Sequence, residues 1–151
     1  MPVDAAALAF VPAAADDVDL LAELNQGLAR DEGSDIAEAG FAAFRDRMAG
    51  FLAGDYEGTI FRDGERVAGY ALYRREDELY YLRQFYICPE FRGQGLGRAC
   101  FERLRREVFP PELELSLSVL ATNPNGAAFW AALGLKPHHT NLRLPPLRPD
   151  G

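Results

Sequence analysis

Lysine is almost absent from this 151-residue sequence: Lys136 stands alone beside fifteen arginines. That bias reads as coding-sequence base composition rather than chemistry. Positive charge is short overall, with 16 basic against 23 acidic residues and a formal net charge of −7. Non-specific nucleic-acid and anionic-membrane binders depend on cationic patches, so neither partner is expected. Cys88 and Cys100 are too few for a disulfide framework and fit a reduced, cytoplasmic setting. No apolar run approaches the ~20 residues of a membrane helix. The opening MPVDAAALAFVPAAADD lacks the basic start and long apolar stretch of a signal peptide. Repeats and long linkers are missing too. What is there is an ordinary globular composition, 48% hydrophobic and 26% charged. The expectation is one soluble domain, residues 1–151, long enough to bury a core.

Periodicity divides the chain into elements. Leu8–Pro12 reads as a short strand. Asp16 is a candidate N-cap for a helix carrying Leu20, Leu21, Leu24 and Leu28. Asp35 and Glu38 resemble a capping box ahead of a second helix with Phe41, Phe44, Met48 and Phe51 on one face. The period then changes to two. Gly58–Arg62 and Glu65–Tyr73 flank Asp63-Gly64, a type I′ hairpin signal. A further strand runs from Leu79 to Ile87 and ends at Pro89. Leu96, Cys100, Leu104 and Val108 mark a helix that Pro110-Pro111 stops. Leu113–Val119 alternates as a strand, Asn123–Leu133 reads as a helix closed by Gly134, and Leu135–Leu144 reads as a last strand. The order is β α α β β β α β α β. It predicts an α/β (α+β) domain: a mixed, mostly antiparallel sheet of six to seven strands with helices on both faces.

Arg92-Gly93-Gln94-Gly95-Leu96-Gly97 lies between a strand and a helix. Glycines there let backbone N–H groups turn inward, and the helix N-terminus adds partial positive charge, which suits a pyrophosphate. A tight strand–helix connection accounts for the same residues. A Walker A loop is excluded, because Arg98 follows Gly97 and no Lys-Ser or Lys-Thr pair exists. A dinucleotide fingerprint is excluded by position, since that loop follows a first strand.

The run Phe85-Tyr86-Ile87-Cys88-Pro89-Glu90-Phe91-Arg92 through Arg98 resembles the acetyl-CoA signature of the GNAT superfamily of N-acetyltransferases. That pattern is an apolar strand, an x-Pro-Glu-aromatic turn, then [Gln/Arg]-x-x-Gly-x-[Gly/Ala], filled here by Arg92, Gly95 and Gly97. Asn123 through Gly134 resembles the second signature, Asn-x₆-[Tyr/Trp]-x-x-Leu-Gly. The element order agrees over nearly the full length.

The resemblance implies a GNAT fold, acetyl-CoA as cosubstrate and no metal. It implies that the strand around Phe85 and Ile87 splays from its neighbour and holds the pantetheine arm. The Ile87 N–H would then face the thioester carbonyl as a fixed dipole. Backbone groups of Gly93, Gln94, Gly95, Leu96, Gly97 and Arg98, with Arg92 beside them, would hold the pyrophosphate. Asn123 would bond the arm or cap its helix. Many members carry a tyrosine acid where this chain has Trp130, which leaves Tyr86 or Tyr80 to fill that role, or no acid at all. Trp130 lies beside the arm or packs the core with Phe129.

Alternation puts Tyr81, Arg83, Phe85 and Ile87 on one face of their strand, away from Tyr80, Leu82, Gln84 and Tyr86. Tyr81 could relay a proton through water. Arg83 cannot act as a base, and either binds a substrate carboxylate or pairs with Glu76, Glu78 or a loop acid. An alkylamine is protonated at pH 7, so acetyl transfer needs a base or water chain. Asp31 and Glu32 are candidates there; Asp35 suits capping. His138 and His139 have no ligand-spaced partners for a metal. Cys88 and Cys100 fit packing. The expected function is acetyl transfer to a primary amine of a small molecule by a homodimer. A non-catalytic acyl-CoA-binding module is the alternative, and a protein acetyltransferase is a third reading.

Overall fold

Five strands form one sheet in the order β1-β2-β3-β4-β5: Ala9–Pro12, Glu57–Asp63, Arg66–Glu76, Leu79–Ile87 and Glu114–Ser116. The first four run antiparallel to their neighbours, and β5 joins β4 in parallel. Four helices accompany them: α1 (Val18–Glu32), α2 (Phe41–Ala53), α3 (Leu96–Glu107) and α4 (Pro124–Ala132). The structure, a computed structural model, describes residues 3–148. Adjacent residues of β4 show that both faces are covered. Tyr86 packs against Gly27 of α1, while Phe85 packs against Phe101 of α3 and Phe129 and Trp130 of α4.

The core follows the periodicity. Leu21, Leu24 and Leu28 line the buried stripe of α1, and Phe44 and Met48 are fully buried from α2. Burying each such side chain contributes roughly 1.5–3 kcal/mol. Gly33 ends α1 at φ 66, sending its N–H back to the last-turn carbonyls.

Several local expectations are corrected. The Asp35–Glu38 capping box does not form; that stretch makes tight turns, and Gly40 is the N-cap of α2. Asp17, not Asp16, precedes α1, with its carboxylate accepting from the Ala14 N–H at 2.8 Å. The β2–β3 hairpin turns at Gly64-Glu65, one residue later than Asp63-Gly64. Gly64 alone takes a positive φ, the sign pattern of a type II′ turn.

The last strand expected over Leu135–Leu144 is absent, so among the described residues the sheet has five strands, not six or seven. Pro137, Pro145 and Pro146 remove donors along that tail, and Leu142 and Leu144 are 87% and 94% exposed. β5 is also shorter than Leu113–Val119. It pairs only as Leu79↔Glu114, Tyr80↔Leu115 and Tyr81↔Ser116. Beyond Tyr81 the two strands part.

A second correction concerns the faces of β4. Between Leu72↔Gln84 and Tyr73↔Leu82 the register shifts, leaving Arg83 as an extra residue in a β-bulge. The alternation slips there. Leu82 shares the α3 face with Phe85, while Tyr81 and Arg83 join Gln84 and Tyr86 on the α1/α2 face. Tyr81 and Arg83 therefore do not share a face with Phe85 and Ile87.

Candidate active site

The opening between β4 and β5 exposes the backbone edge of β4. Cys88 donates its N–H to Ala68 O at 2.8 Å, toward β3. Successive strand residues alternate their hydrogen-bonding direction, so the N–H and C=O of Ile87 face the opening. Arg92 Nε donates to Ile87 O at 2.8 Å, and its Nη2 reaches Asp31 Oδ2 at 2.6 Å. The carbonyl of Ile87 is thus occupied, and its N–H remains directed into the gap.

The glycine-rich loop closes one end of this gap. Gly93 and Gly95 take φ of 81 and 73, and Gly95 is the N-cap of α3 with no side-chain cap bond. A Cβ built on either meets nothing within 4 Å, so both face open space. The first-turn N–H groups of α3 are therefore offered to a ligand. Leu96 anchors the turn in the core. A Cβ on Gly97 would lie 3.3 Å from the Phe129 ring, so this glycine permits close packing of α4. Gln94 holds the N-terminal segment, its Oε1 accepting from Val3 N at 2.6 Å. Arg98 pairs with Glu102 one turn on, at 3.0 Å.

The α3/α4 face is apolar. Phe85, Phe101, Phe129 and Trp130 form a continuous aromatic group, with Phe129 and Trp130 centroids 4.7 Å apart. Trp130 packs here and has only an indole N–H to offer. Asn123 caps α4, accepting from Gly126 N at 3.0 Å. Tyr80 stacks beside Tyr73 and Phe109, on the far side of the parallel pairing from the loop.

The α1/α2 face sets polar groups among the buried leucines of α1. Tyr86 holds its hydroxyl against α1, where a Cβ on Gly27 would come within 2.4 Å of it. Tyr81 stands at the last paired position of β4 and β5. The buried Tyr70 donates to Gln84 Oε1 at 2.7 Å. Asn25 is 3% exposed, and its Oδ1 has no hydrogen-bond partner. Half-buried Glu32 has its carboxyl pushed up by burial; Arg47 opposes that rise and Asp31 adds to it. Burial also raises the Tyr86 phenol, keeping it a proton donor at neutral pH. Thr122 Oγ1 donates to Glu32 O at 2.7 Å, which ties the end of α1 to the loop after β5.

Of the two readings of Arg83, the pairing with Glu76, Glu78 or a loop acid does not form among the described residues. Glu76 pairs with Arg74 instead, and Arg83 Nη1 donates to Tyr56 Oη at 3.2 Å. Asp31 is engaged by Arg92, whereas Glu32 is in no ion pair among the described residues. Asn25, Arg47, Tyr56, Tyr70 and Gln84 were not legible as site residues. The available signals were a polar Asn25 inside the leucine stripe of α1 and Gln84 within an otherwise apolar strand.

Cys88 and Cys100 are buried, their thiols pushed up to about 11 and about 12. Neither is a nucleophile at neutral pH. His138 and His139 face each other in the exposed tail. Among the described residues no group of three metal-ligating side chains forms, and no helix is long and apolar enough to cross a membrane.

The chain matches the model of the acetyltransferase (GNAT) family over residues 21–135. No curated protein matches it. Among solved structures it is similar to a possible acetyltransferase from Clostridium difficile, with a TM-score of 0.73 and 18% identity, covering 93% of this chain and 98% of that one. A GCN5-related N-acetyltransferase from Ralstonia eutropha gives a TM-score of 0.72 and 22% identity, covering 91% and 97%. An acetyltransferase from Thermus thermophilus gives 0.71 and 20%, covering 89% and 90%. At these identities the likeness carries the fold.

Proposed function

This chain belongs to the GNAT acetyltransferase family, and on that premise we propose that it moves an acetyl group from acetyl-CoA to the primary amine of a small molecule by direct transfer. The observation that carries this reading is the free edge of β4 running to a glycine loop at the N-terminus of α3. Bound acetyl-CoA would supply an acyl carbon open to attack and a thiol leaving group.

The residues fit that cosubstrate. Gly93 and Gly95 leave space for a pyrophosphate, and the backbone N–H groups of Gly93 through Arg98 complement its charge. Arg92 flanks them. The free backbone edge at Phe85, leading to the Ile87 N–H, would pair with the pantetheine arm, with Asn123 and Trp130 on the opposite wall. The Ile87 N–H points at the thioester oxygen and stabilises negative charge as it develops. Glu32 takes a proton from the acceptor ammonium. The amine nitrogen then bonds to the acetyl carbon as the carbon–sulfur bond breaks. The nitrogen then sheds its second proton to water, and the thiolate leaves as such or takes a proton from Tyr86, which water restores; Tyr81 is the further candidate for relaying protons through water. Asp31 acts only indirectly, by fixing Arg92 against the Ile87 carbonyl. A single domain working as a cytoplasmic homodimer belongs to the same proposal.

Calorimetric titration with acetyl-CoA and free CoA, followed by thiol release over an amine panel, tests this reading. Binding with release supports the enzyme; binding without release from any amine supports a non-catalytic acyl-CoA module, which Trp130 in place of an acid favours. Gly95→Asp adds a side chain at φ 73 and a negative charge beside the phosphate site. Its Kd for acetyl-CoA is expected to rise by on the order of 100-fold. Unchanged binding would mean that the cosubstrate lies elsewhere.

A further inference from the structure

The arginines around the polar face of β4 fall into two groups. Arg45 pairs with Asp19, Arg74 with Glu76 and Arg92 with Asp31. Arg47 of α2 and Arg83 of β4 are in no ion pair among the described residues. Yet these two share one neighbour. Both guanidiniums lie over the Phe51 ring, at 5.4 and 4.7 Å from its centroid. They sense each other, since Arg83 is among the charges that lower the Arg47 guanidinium, after burial itself.

Two neighbouring cations that no acid pairs repel, and the cost is greater at half-buried Arg47 than at exposed Arg83. The β-bulge is what aims Arg83 here; regular alternation would send it to the aromatic face. Tyr56 steadies it through the 3.2 Å bond, which leaves most of its five donors free. Bulges of this kind re-aim side chains next to active sites.

On the same face the unmet needs are of opposite kind. Asn25 Oδ1 is a buried acceptor without a donor, on a side chain whose amide also reaches the Tyr70 hydroxyl. Glu32 is a carboxylate without an ion-pair partner, in electrostatic contact with Tyr70 and Arg47. An ammonium satisfies both. One molecule that fits the whole face carries an ammonium at one end and a carboxylate at the other.

We infer that Arg47 and Arg83 form a carboxylate clamp, and that the acceptor is a small amino acid whose amine lies at Glu32 and Asn25. This rests on the acetyltransfer reading above. The planar forks of two guanidiniums suit a carboxylate better than one ammonium would.

The test compares the twenty L-amino acids, with β-alanine and 4-aminobutyrate, against their amides. Wild type, Arg47→Gln and Arg83→Gln are assayed for thiol release from acetyl-CoA. Calorimetry with the N-acetylated acids in the presence of CoA gives product binding where turnover is slow. At least one acid is expected to exceed its amide in kcat/KM. Each substitution should erase that preference by about 10- to 100-fold, mainly through KM. The Kd for acetyl-CoA should stay unchanged in both variants, which also reports that they are folded.

Preference for an amide, or a preference that survives both substitutions, overturns the clamp. So does a set in which no acid is turned over and no N-acetyl acid binds. Failure of the underlying reading looks different: wild type would then not bind acetyl-CoA at all.

Discussion

The two faces of β4 hold opposite chemistry. Toward α3 and α4 lie Phe85, Phe101, Phe129 and Trp130, packed ring to ring. Toward α1 and α2 lie Tyr86, Gln84 and Arg83, close to Glu32, Arg47 and the unpartnered Oδ1 of Asn25. A single strand separates an apolar wall from a polar one, and its free edge opens between them. The difference matters for a transfer reaction. The cosubstrate side asks for shape, backbone donors and dryness, which glycine and aromatic residues supply. The acceptor side asks for charge selection and a proton path, which only side chains supply.

Breaking the strand should break both faces, and that is the largest effect expected. Gly69 of β3 lies opposite Ile87, and a Cβ there would sit 2.0 Å from Tyr86 O and 3.1 Å from Ile87 Cα. These are backbone atoms, so no rotamer change relieves the clash. Gly69→Ala must push β4 away from β3 at the position where the thioester carbonyl would be held. Urea unfolding should show a loss of about 4 kcal/mol or more, the range reserved for severe core strain. Acetyl-CoA binding should be lost with it. Near-normal stability would mean that the pairing at Ile87 is loose.

The contrast between the faces also explains what could be read from sequence. The cosubstrate side is contiguous: Phe85 through Arg98 is one stretch, and its chemistry lies in glycine placement and a strand–helix junction. The order of elements was legible for the same reason, since the leucines of α1 and the alternation of β3 and β4 are local patterns. The acceptor side is assembled from Asn25, Glu32, Arg47, Tyr56 and Tyr70, which no spacing rule links. Arg83 shows the limit most plainly. Its face depends on a register shift set by pairing with β3, and period-two counting cannot anticipate a bulge. The missing last strand fails differently. Leu142 and Leu144 alternate with polar residues, but Pro145 and Pro146 cut the run short and nothing covers it.

Removing one aromatic from the apolar face sharpens the comparison at intermediate size. Phe85 contacts Phe61, Phe101, Phe129 and Trp130 with centroids between 5.5 and 6.3 Å. It is only half-buried, so Phe85→Ala should cost about 2–3 kcal/mol, below the range for a fully buried ring. The residual kcat/KM preference for an acid over its amide should persist, because the polar face is untouched. Loss of that preference would show that the two faces are coupled rather than separate.

The smallest stability effect belongs to the polar face, and there its sign is the informative part. Burial holds the Glu32 carboxyl above the usual carboxylate range, and Arg47 offsets this only in part. The folded protein therefore keeps that proton more tightly than the unfolded chain does. Stability from this group is fully present below its unfolded value and is lost as pH rises through the raised folded value. Glu32→Gln removes the loss. In thermal melts the variant should gain on wild type as pH rises above the ordinary carboxylate range, while thiol release falls on the order of 100-fold or more. A residue kept at a cost in stability but needed for turnover fits a proton acceptor, whereas a structural carboxylate would lose both together. If the variant instead melts lower at neutral pH, Glu32 is holding Arg47 in place. The base would then have to be sought among Tyr81, Tyr86 and water.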